Sequence, residues 1–259
     1  MSRARTPEID HRYGPTVHIL DDAYMRSLLA ELCEPATVQP RLNWLLQSLY
    51  DGLLRACING EFPRVVRSVR TRMGAEYRDE MLDPATRVVS VDIARAGMKP
   101  SMICYELLST VLDPAGVRQD HVIMQRTTDA AGAVTGASIS GTKVGGPVDG
   151  RILLFPDPMG ATGSSLREVV RWYQAHGEGR PAAFVSLNLI VTPEFLRRVT
   201  TEVPELQVYA YRVDRGLSPA DVLAQPPGAD WARERGLDDH DYIVPGAGGL
   251  GEVLNNALR

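Results

Sequence analysis

The sequence has few of the residues that stabilise disulfide-rich or zinc-bound domains. Its 259 residues include three cysteines, Cys33, Cys57 and Cys104, which are too scattered for a disulfide framework or a zinc site. No apolar run approaches the roughly 18 residues of a membrane span, and the basic amino terminus lacks the apolar segment of a secretory signal. These absences predict a cytoplasmic protein with buried thiols and no membrane partner.

An excess of positive charge is also missing. Lys and Arg number 28 against 32 Asp and Glu, so the formal net charge is −4 and argues against a nucleic-acid partner. No Ser-His-Asp or Cys-His constellation is apparent, and none of the five His residues lies in a motif described below. With 44% hydrophobic residues, the chain can nevertheless bury the core of one α/β domain.

The most informative segment present is 152–166, where an apolar strand-like run ends in Asp157 and a loop of small residues opens a helix. Glycines and serines in this loop leave room for a phosphate to approach backbone amides at the start of the helix. Asp157 is placed to accept hydrogen bonds from sugar hydroxyls or to hold a metal bound to the same ligand. The loop lacks the Walker Lys and the Gly-x-Gly-x-x-Gly spacing, so it predicts a phosphorylated polyol rather than a nucleoside triphosphate or NAD. A tight turn without a ligand is the alternative.

Strand and helix patterns alternate along the chain. Strands are predicted at 88–93, 122–125, 152–155 and 183–191, and helices at 21–33, 36–58, 101–111 and 166–176. This alternation predicts an α/β fold with a central parallel sheet flanked by helices, two of them at the amino terminus. Residues 132–150, rich in Gly, Ser, Thr and Val, are predicted to form a flexible arm. In such a sheet the ligands bind at the carboxyl ends of the strands, where Arg95, Arg126 and Asp157 lie.

The string Asp-Pro-Met-Gly-Ala-Thr-Gly-Ser-Ser at 157–165 resembles the Asp-Pro-Met-x-Ala-Thr-Gly-Gly-Ser signature of uracil phosphoribosyltransferases. Four further segments, 94–98, 124–126, 213–217 and 242–248, resemble family segments in the family's order. The resemblance implies a type I phosphoribosyltransferase-like fold. It also implies conversion of uracil and 5-phosphoribosyl pyrophosphate (PRPP) to UMP and pyrophosphate.

The resemblance assigns roles to particular residues. It implies catalytic roles for Asp157, Arg95 and Arg126, because an Arg fork can engage phosphate oxygens bidentately. It implies PRPP binding by these three together with Pro158, Ala161, Thr162, Gly163, Ser164 and Ser165. It implies base binding by Met159, Tyr242, Ile243, Gly248 and Leu250. Mg²⁺ is expected to arrive with PRPP rather than in a dedicated protein site, and the partners expected are PRPP and a pyrimidine base.

The chain departs from the family in the base loop. The family continues Gly-Asp-x-Gly-Asp, whereas this chain has Gly248-Gly249-Leu250-Gly251-Glu252, so the first acid, which lies beside the reacting ribose and base, is replaced by Gly249. Two alternatives therefore remain open beside the uracil enzyme. One is a phosphoribosyltransferase for another nucleobase, and the other is a catalytically weak regulatory protein that binds PRPP or a nucleotide.

The remaining predictions concern organisation. Residues 1–16, broken by prolines and a glycine, are predicted to be mobile or docked only by a partner. Residues 17–259 are predicted to form a single domain with an insertion near 218–241. The two amino-terminal helices favour a homodimer or a higher homo-oligomer.

Overall fold

A computed structural model describes residues 6–128 and 134–257 of the chain, with the side chains of 126–137 outside that description. The helices are α1 (Ala23–Leu32), α2 (Arg41–Glu61), α3 (Met98–Val111), α4 (Ser164–His176), α5 (Pro193–Glu202), α6 (Ala220–Leu223) and α7 (Leu250–Leu254). Among the described residues, no helix has both the length and the apolar character needed to cross a membrane.

Most strands join one sheet. The strands are β1 (Val17–Ile19), β2 (Arg64–Arg70), β3 (Glu76–Leu82), β4 (Val88–Ala94), β5 (Val117–Thr128), β6 (Val134–Lys143), β7 (Ile152–Pro156), β8 (Met159–Gly160), β9 (Ala183–Val191) and β10 (Leu206–Val213). The main sheet has the order β1-β10-β9-β7-β4-β5-β6, with β8 paired to β9. Every neighbouring pair is parallel except β5 with β6. The predicted α/β class, with a mostly parallel sheet flanked by helices, is confirmed.

Both faces of the sheet are covered. In β4, Val88 packs with the cluster that contains α1, α2 and α3, whereas Val89 packs with the cluster that contains α4 and α5. The residues of a strand alternate between faces, so a buried parallel strand reads as a continuous apolar run. The leucine stripe of α2, from Leu42 to Leu54, lies in the first of these clusters.

The amino-terminal segment differs from its prediction. The amide of Ile9 donates to the carbonyl of Ile19 at 3.0 Å, and the amide of Arg12 donates to the carbonyl of Pro227 at 2.7 Å. The Tyr13 ring is 2% exposed, and its hydroxyl donates to Glu234 at 2.6 Å. The expectation of a segment without contacts inside the chain is therefore wrong for residues 6–16, because one buried aromatic ring and a few backbone hydrogen bonds dock it. Residues 1–5 lie outside the described part.

The predicted flexible arm also differs. Residues 134–143 form β6, which pairs antiparallel with β5 from His121 to Thr128. Backbone pairing therefore orders much of this Gly- and Ser-rich segment, although residues 129–133 fall outside the described residues.

A projecting hairpin was not predicted. Strands β2 and β3 form a separate two-stranded antiparallel sheet, and most of their residues are exposed. Charged residues interrupt the apolar residues of both strands, so neither strand contains the apolar run that predicted the others.

Candidate active site

The loop between β7 and α4 forms a small cavity. Strand β7 ends at Pro156, and α4 begins at Ser164 after Gly163, which has φ of +75° and provides no side-chain cap. The first amides of a helix have no intrahelical acceptor. The Ser164 amide donates to the Thr162 hydroxyl oxygen at 3.3 Å, and the amides that follow it are the donors that this helix start presents. A cavity of about 110 Å³ is lined by Asp157, Met159, Gly160, Ala161, Thr162, Gly163, Ser164, Ser165, Leu166, Asn188 and Phe195. The structure therefore brings together most of the residues predicted to bind PRPP, and the buried Pro158 lies within the same loop.

The carbonyl groups of this loop are occupied on its outer side. The amide of Thr192 donates to the carbonyl of Gly160 at 3.0 Å, and the Thr192 hydroxyl donates to the carbonyl of Ala161 at 2.6 Å. Because these carbonyls are occupied by Thr192, immediately before α5, the amides and hydroxyls of the loop are the polar groups that remain to meet a ligand. Such an array of donors suits an anion.

Asp157 lies at the carboxyl end of β7 on the rim of the cavity. Its carboxylate accepts a hydrogen bond from the amide of Met159 at 3.1 Å, and its carbonyl accepts one from the Asn188 side chain at 2.7 Å. Burial raises the pKa of Asp157 to about 6; the Met159 hydrogen bond opposes this rise and the charge of Asp92 adds to it. The carboxylate is thus poorly solvated, which favours a cationic or hydroxyl-donating ligand.

Asp92 is a second buried acid that the sequence reading did not assign to the site. It is 3% exposed near the carboxyl end of β4, and its Oδ2 lies 2.9 Å from Nδ1 of His121. Its Oδ1 has no hydrogen-bond partner within the described residues. Burial raises the pKa of Asp92, and the hydrogen bond with His121 opposes the rise. The signal in the sequence was a lone acid inside the apolar run of β4.

The two predicted Arg residues lie at or near the carboxyl ends of β4 and β5. Arg95 comes directly after β4, its side chain is 57% exposed, and Nη2 lies 3.3 Å from Oε1 of Glu252. It lines a second cavity together with Lys99 and residues of the carboxyl terminus. Arg126 lies in β5, where its backbone pairs with that of Ala137, and its side chain is outside the described part. Arg95 therefore follows β4, the neighbour of β7 in the sheet, whereas Arg126 lies within β5, one strand further from Asp157.

The predicted base loop lies beside these segments. Leu250 is buried, and Ile243 packs against the same cluster as Met159, whereas Tyr242 is 55% exposed. Gly248 has φ of +65°. A Cβ on Gly251 would lie 3.5 Å from that of Ala96, so the loop is adjacent to the segment that contains Arg95.

A buried acid anchors the base loop. Asp214 accepts a hydrogen bond from the amide of Gly246 at 2.7 Å, and Arg212 pairs with its carboxylate at 2.6 Å. The amide of Gly216 also donates to the carbonyl of Val244 at 3.0 Å. The segment 213–217 thus fixes the path of the loop, a role that its sequence pattern alone did not indicate.

The donor set around the cavity does not form a metal-binding cluster of its own. No group of three or more His, Cys, Asp or Glu is placed to hold a metal ion in the described parts of the chain. Asp157 contributes a single carboxylate, which suits a divalent cation that carries most of its oxygen ligands with it.

Comparison with known proteins gives a family match. The family model described as uracil phosphoribosyltransferase matches residues 19–229. A uracil phosphoribosyltransferase of Caldanaerobacter subterraneus is 30% identical over 104 residues, which are 40% of this chain and 39% of that protein. The aligned part thus spans about two fifths of the length of the first curated relatives. The base loop lies beyond the end of the family match.

Solved structures show the same fold. The AQ2163 protein from Aquifex aeolicus has a TM-score of 0.69 and 21% identity, with 92% of this chain and 97% of that chain covered. An adenine phosphoribosyltransferase from Trypanosoma brucei, solved with AMP, pyrophosphate and ribose-5-phosphate, has a TM-score of 0.51 and 8% identity, with 81% and 87% covered. These likenesses concern the fold alone.

Proposed function

Because the chain belongs to the uracil phosphoribosyltransferase family, we propose that it transfers the 5-phosphoribosyl group of PRPP to uracil, giving UMP and pyrophosphate. The observation that carries this proposal is the cavity at the start of α4, where the family signature supplies donors and Asp157 forms the rim. A phosphate at the helix start and a sugar beside Asp157 account for both features.

The residues divide the work by position. The loop from Ala161 to Ser165 holds the 5-phosphate, and Asp157 accepts hydrogen bonds from the ribose hydroxyls. Arg95 and Arg126 bind the pyrophosphate after the adjacent strands. The base rests between Met159 and the loop that contains Tyr242, Ile243, Gly248 and Leu250.

The reaction is a displacement at C1 of the ribose. The C1–oxygen bond to pyrophosphate breaks and the electron pair leaves with pyrophosphate. A ring nitrogen of the base forms the new bond to C1 and loses its proton, which the departing pyrophosphate or water accepts. The transition state resembles an oxocarbenium ion, because the bond to pyrophosphate is largely broken before the new bond forms. Arg95 contributes by stabilising the negative charge that develops on the departing pyrophosphate. Alignment of the base against C1 supplies much of the remaining acceleration.

Mg²⁺ is proposed to come bound to PRPP, and Asp157 is the residue that would contact it. When bound, the ion would neutralise pyrophosphate charge. A single poorly solvated carboxylate supports this arrangement, since it fits a cation that brings its other ligands. The cytoplasmic location and the pyrimidine specificity stay predictions.

A second candidate is transfer to another nucleobase. Gly249 replaces the family's first acid in the base loop, and that loop lies outside the matched range 19–229. These two observations favour a change in the base rather than in the phosphoribosyl donor.

The test is pyrophosphate release by the purified protein with PRPP, Mg²⁺ and each nucleobase in turn, with the nucleotide product identified by chromatography. Among the nucleobases, only uracil should release pyrophosphate, and the nucleotide product should be UMP. Release with a different base would support the second candidate, and no release with any base would contradict both and favour a regulatory PRPP-binding protein.

Arg95→Lys is the matched variant for the pyrophosphate side. It keeps the charge but loses the planar fork, so turnover should fall about tenfold or more while PRPP binding partly survives. Wild-type turnover in this variant would show that Arg95 does not contact pyrophosphate.

A further inference from the structure

Arg198 of helix α5 contacts the loop between β7 and α4. Nη1 of Arg198 donates to the carbonyl of Thr162 at 2.7 Å. Thr192 occupies the two preceding carbonyls, so three consecutive carbonyls of the loop are engaged by α5 and the residue before it. The same Nη1 also donates to the hydroxyl oxygen of Ser164.

The hydroxyl of Ser164 is left with one possible use. A hydroxyl oxygen has two lone pairs and one hydrogen. The oxygen of Ser164 accepts from Arg198 and from the Thr162 hydroxyl, the latter at 3.2 Å. With both lone pairs engaged, the hydrogen of Ser164 can only be donated, and Ser164 lines the cavity. The hydroxyl is therefore preset as a donor to an anion.

Three arginines of α4 and α5 share two carboxylates beside the loop. Guanidinium groups of Arg167, Arg171 and Arg198 lie 3.2, 3.0 and 3.8 Å from the carboxylate of Glu202. Glu168 adds a second carboxylate, 2.5 Å from Arg167. Residues 157–166 contain no Lys or Arg of their own, and their one acid is Asp157. The guanidinium group that contacts this loop is thus that of Arg198 in α5.

We propose that Arg198 is a positioning residue of the 5-phosphate site, which acts by fixing the Ser164 hydroxyl as a donor and by engaging the Thr162 carbonyl. The inference rests on the proposed function, since it takes the anion to be the 5-phosphate of PRPP. Arg198 lies 33 residues beyond the end of the 157–165 signature. It is a feature of this chain's α5 and forms no part of the signature loop.

The test compares PRPP and base kinetics in Arg198→Ala. We expect the KM for PRPP to rise about tenfold, because a charged hydrogen bond and its oriented partner are lost, while the KM for the base and kcat change less than about threefold. Arg198→Lys should recover part of the PRPP affinity. Arg197→Ala is the matched control, since Arg197 is the neighbouring residue and its side chain donates to the carbonyl of Trp231 instead; its KM values should match wild type.

A double-mutant cycle with Ser164→Ala separates positioning from simple loss of charge. If Arg198 acts through Ser164, the double variant should bind PRPP no more weakly than about the worse single variant. Additive losses would overturn positioning through Ser164, as would an equal rise in the KM values for PRPP and base. Calorimetric binding of ribose 5-phosphate repeats the comparison without turnover, and Arg198→Lys serves if the Ala variant does not fold.

The failures of the two proposals are distinguishable. A wild-type protein that binds neither PRPP nor ribose 5-phosphate overturns both the proposed function and this inference. A wild-type protein that binds PRPP with unchanged affinity in Arg198→Ala overturns this inference alone.

Discussion

At the residue scale, Asp157 links stability to pH. Its pKa of about 6 lies above the usual 3.8, so the folded state holds the proton more tightly than the unfolded state. The stability associated with the protonated form is complete below the unfolded pKa and is lost as pH rises through the folded pKa. Ionisation of this carboxyl therefore lowers the free energy of unfolding as pH rises from about 4 to about 6, by at most about 3 kcal/mol in total.

Asp157→Asn should remove this dependence, because the amide has the same shape, still accepts from Met159 and does not ionise. The variant should match wild type near pH 4 and become the more stable protein between pH 4 and 7. Urea unfolding at several pH values measures the difference. Parallel stability curves for the two proteins would contradict the raised pKa.

The second residue-scale prediction concerns the acid missing at Gly249. Its φ of −76° accepts a side chain, and a Cβ there would lie 2.8 Å from Oε2 of Glu252. The Glu252 carboxylate thus already lies beside the position from which the family's acid would project, and it pairs with Arg95. Glu252→Gln should lower turnover with the accepted base about tenfold.

Moving the charge tests this substitution directly. The double variant Glu252→Gln with Gly249→Asp should recover turnover that the single variant loses, because one carboxylate returns to the same region. Thermal melts establish that each variant is folded. Wild-type turnover in Glu252→Gln, or no recovery in the double variant, would show that Glu252 does not replace the family's acid.

Single residues of the site could be predicted only where they lie next to one another in the sequence. The loop from Asp157 to Ser165 is continuous, so its signature located most of the cavity. Asn188 and Arg198 were missed because each contacts the loop from a different element, and Asp92 because its charge acts on Asp157 from β4. No spacing in the sequence encodes such contacts.

At the scale of elements, buried parallel strands were predictable because they are continuous apolar runs. Strand β9 has its predicted bounds, and β4 and β7 each extend one residue further. Strand β10 was missed, since Gln207 and Arg212 interrupt its apolar run and leave only the four residues 208–211 between them. Pairing partners rather than local hydrophobicity order β6 and the β2–β3 hairpin.

The docked amino-terminal segment gives the third prediction. The Glu234 carboxylate accepts from Tyr13 at 2.6 Å, from Arg215 at 2.6 Å and from the amide of Gly228 at 2.8 Å. Tyr13→Phe keeps the ring but removes one bond to this buried charge, so the free energy of unfolding should fall by about 1.5–3 kcal/mol.

Chemical denaturation measures this loss. Tyr24→Phe is a suitable control because the Tyr24 side chain is 62% exposed, and its stability should match wild type. An unchanged stability in Tyr13→Phe would mean that the segment is not docked through Glu234.

At the scale of the whole molecule, the β2–β3 hairpin is the surface that we expect to mediate self-association. Val65 and Val69 are opposite Met81 and Tyr77, so they share one face of the hairpin, and Val66 is on the other. Isolated two-stranded hairpins are marginal in water, and an exposed apolar face gains stability by packing. The stripe of α2 that first suggested oligomerisation is buried in the core, so we expect the hairpin to mediate it instead.

Val69→Asp should therefore lower the molar mass found by light scattering after gel filtration. Val66→Asp, on the same strand but the opposite face, is the matched control and should keep the wild-type mass. A wild-type monomer, or equal masses for the two variants, would contradict the assignment of this face.

The order of strands also fixes a length. The loop after β7, Arg95 after β4 and Arg126 in β5 belong to three adjacent strands, and neighbouring strands lie about 4.8 Å apart. Under the proposed function, the anion-binding groups therefore lie one or two strand spacings apart along this edge of the sheet. A ligand with a single phosphate would engage only one of them. A ligand with phosphates at opposite ends of a ribose would engage two of them, so we expect the strand spacing to favour PRPP over a monophosphate before any base is bound.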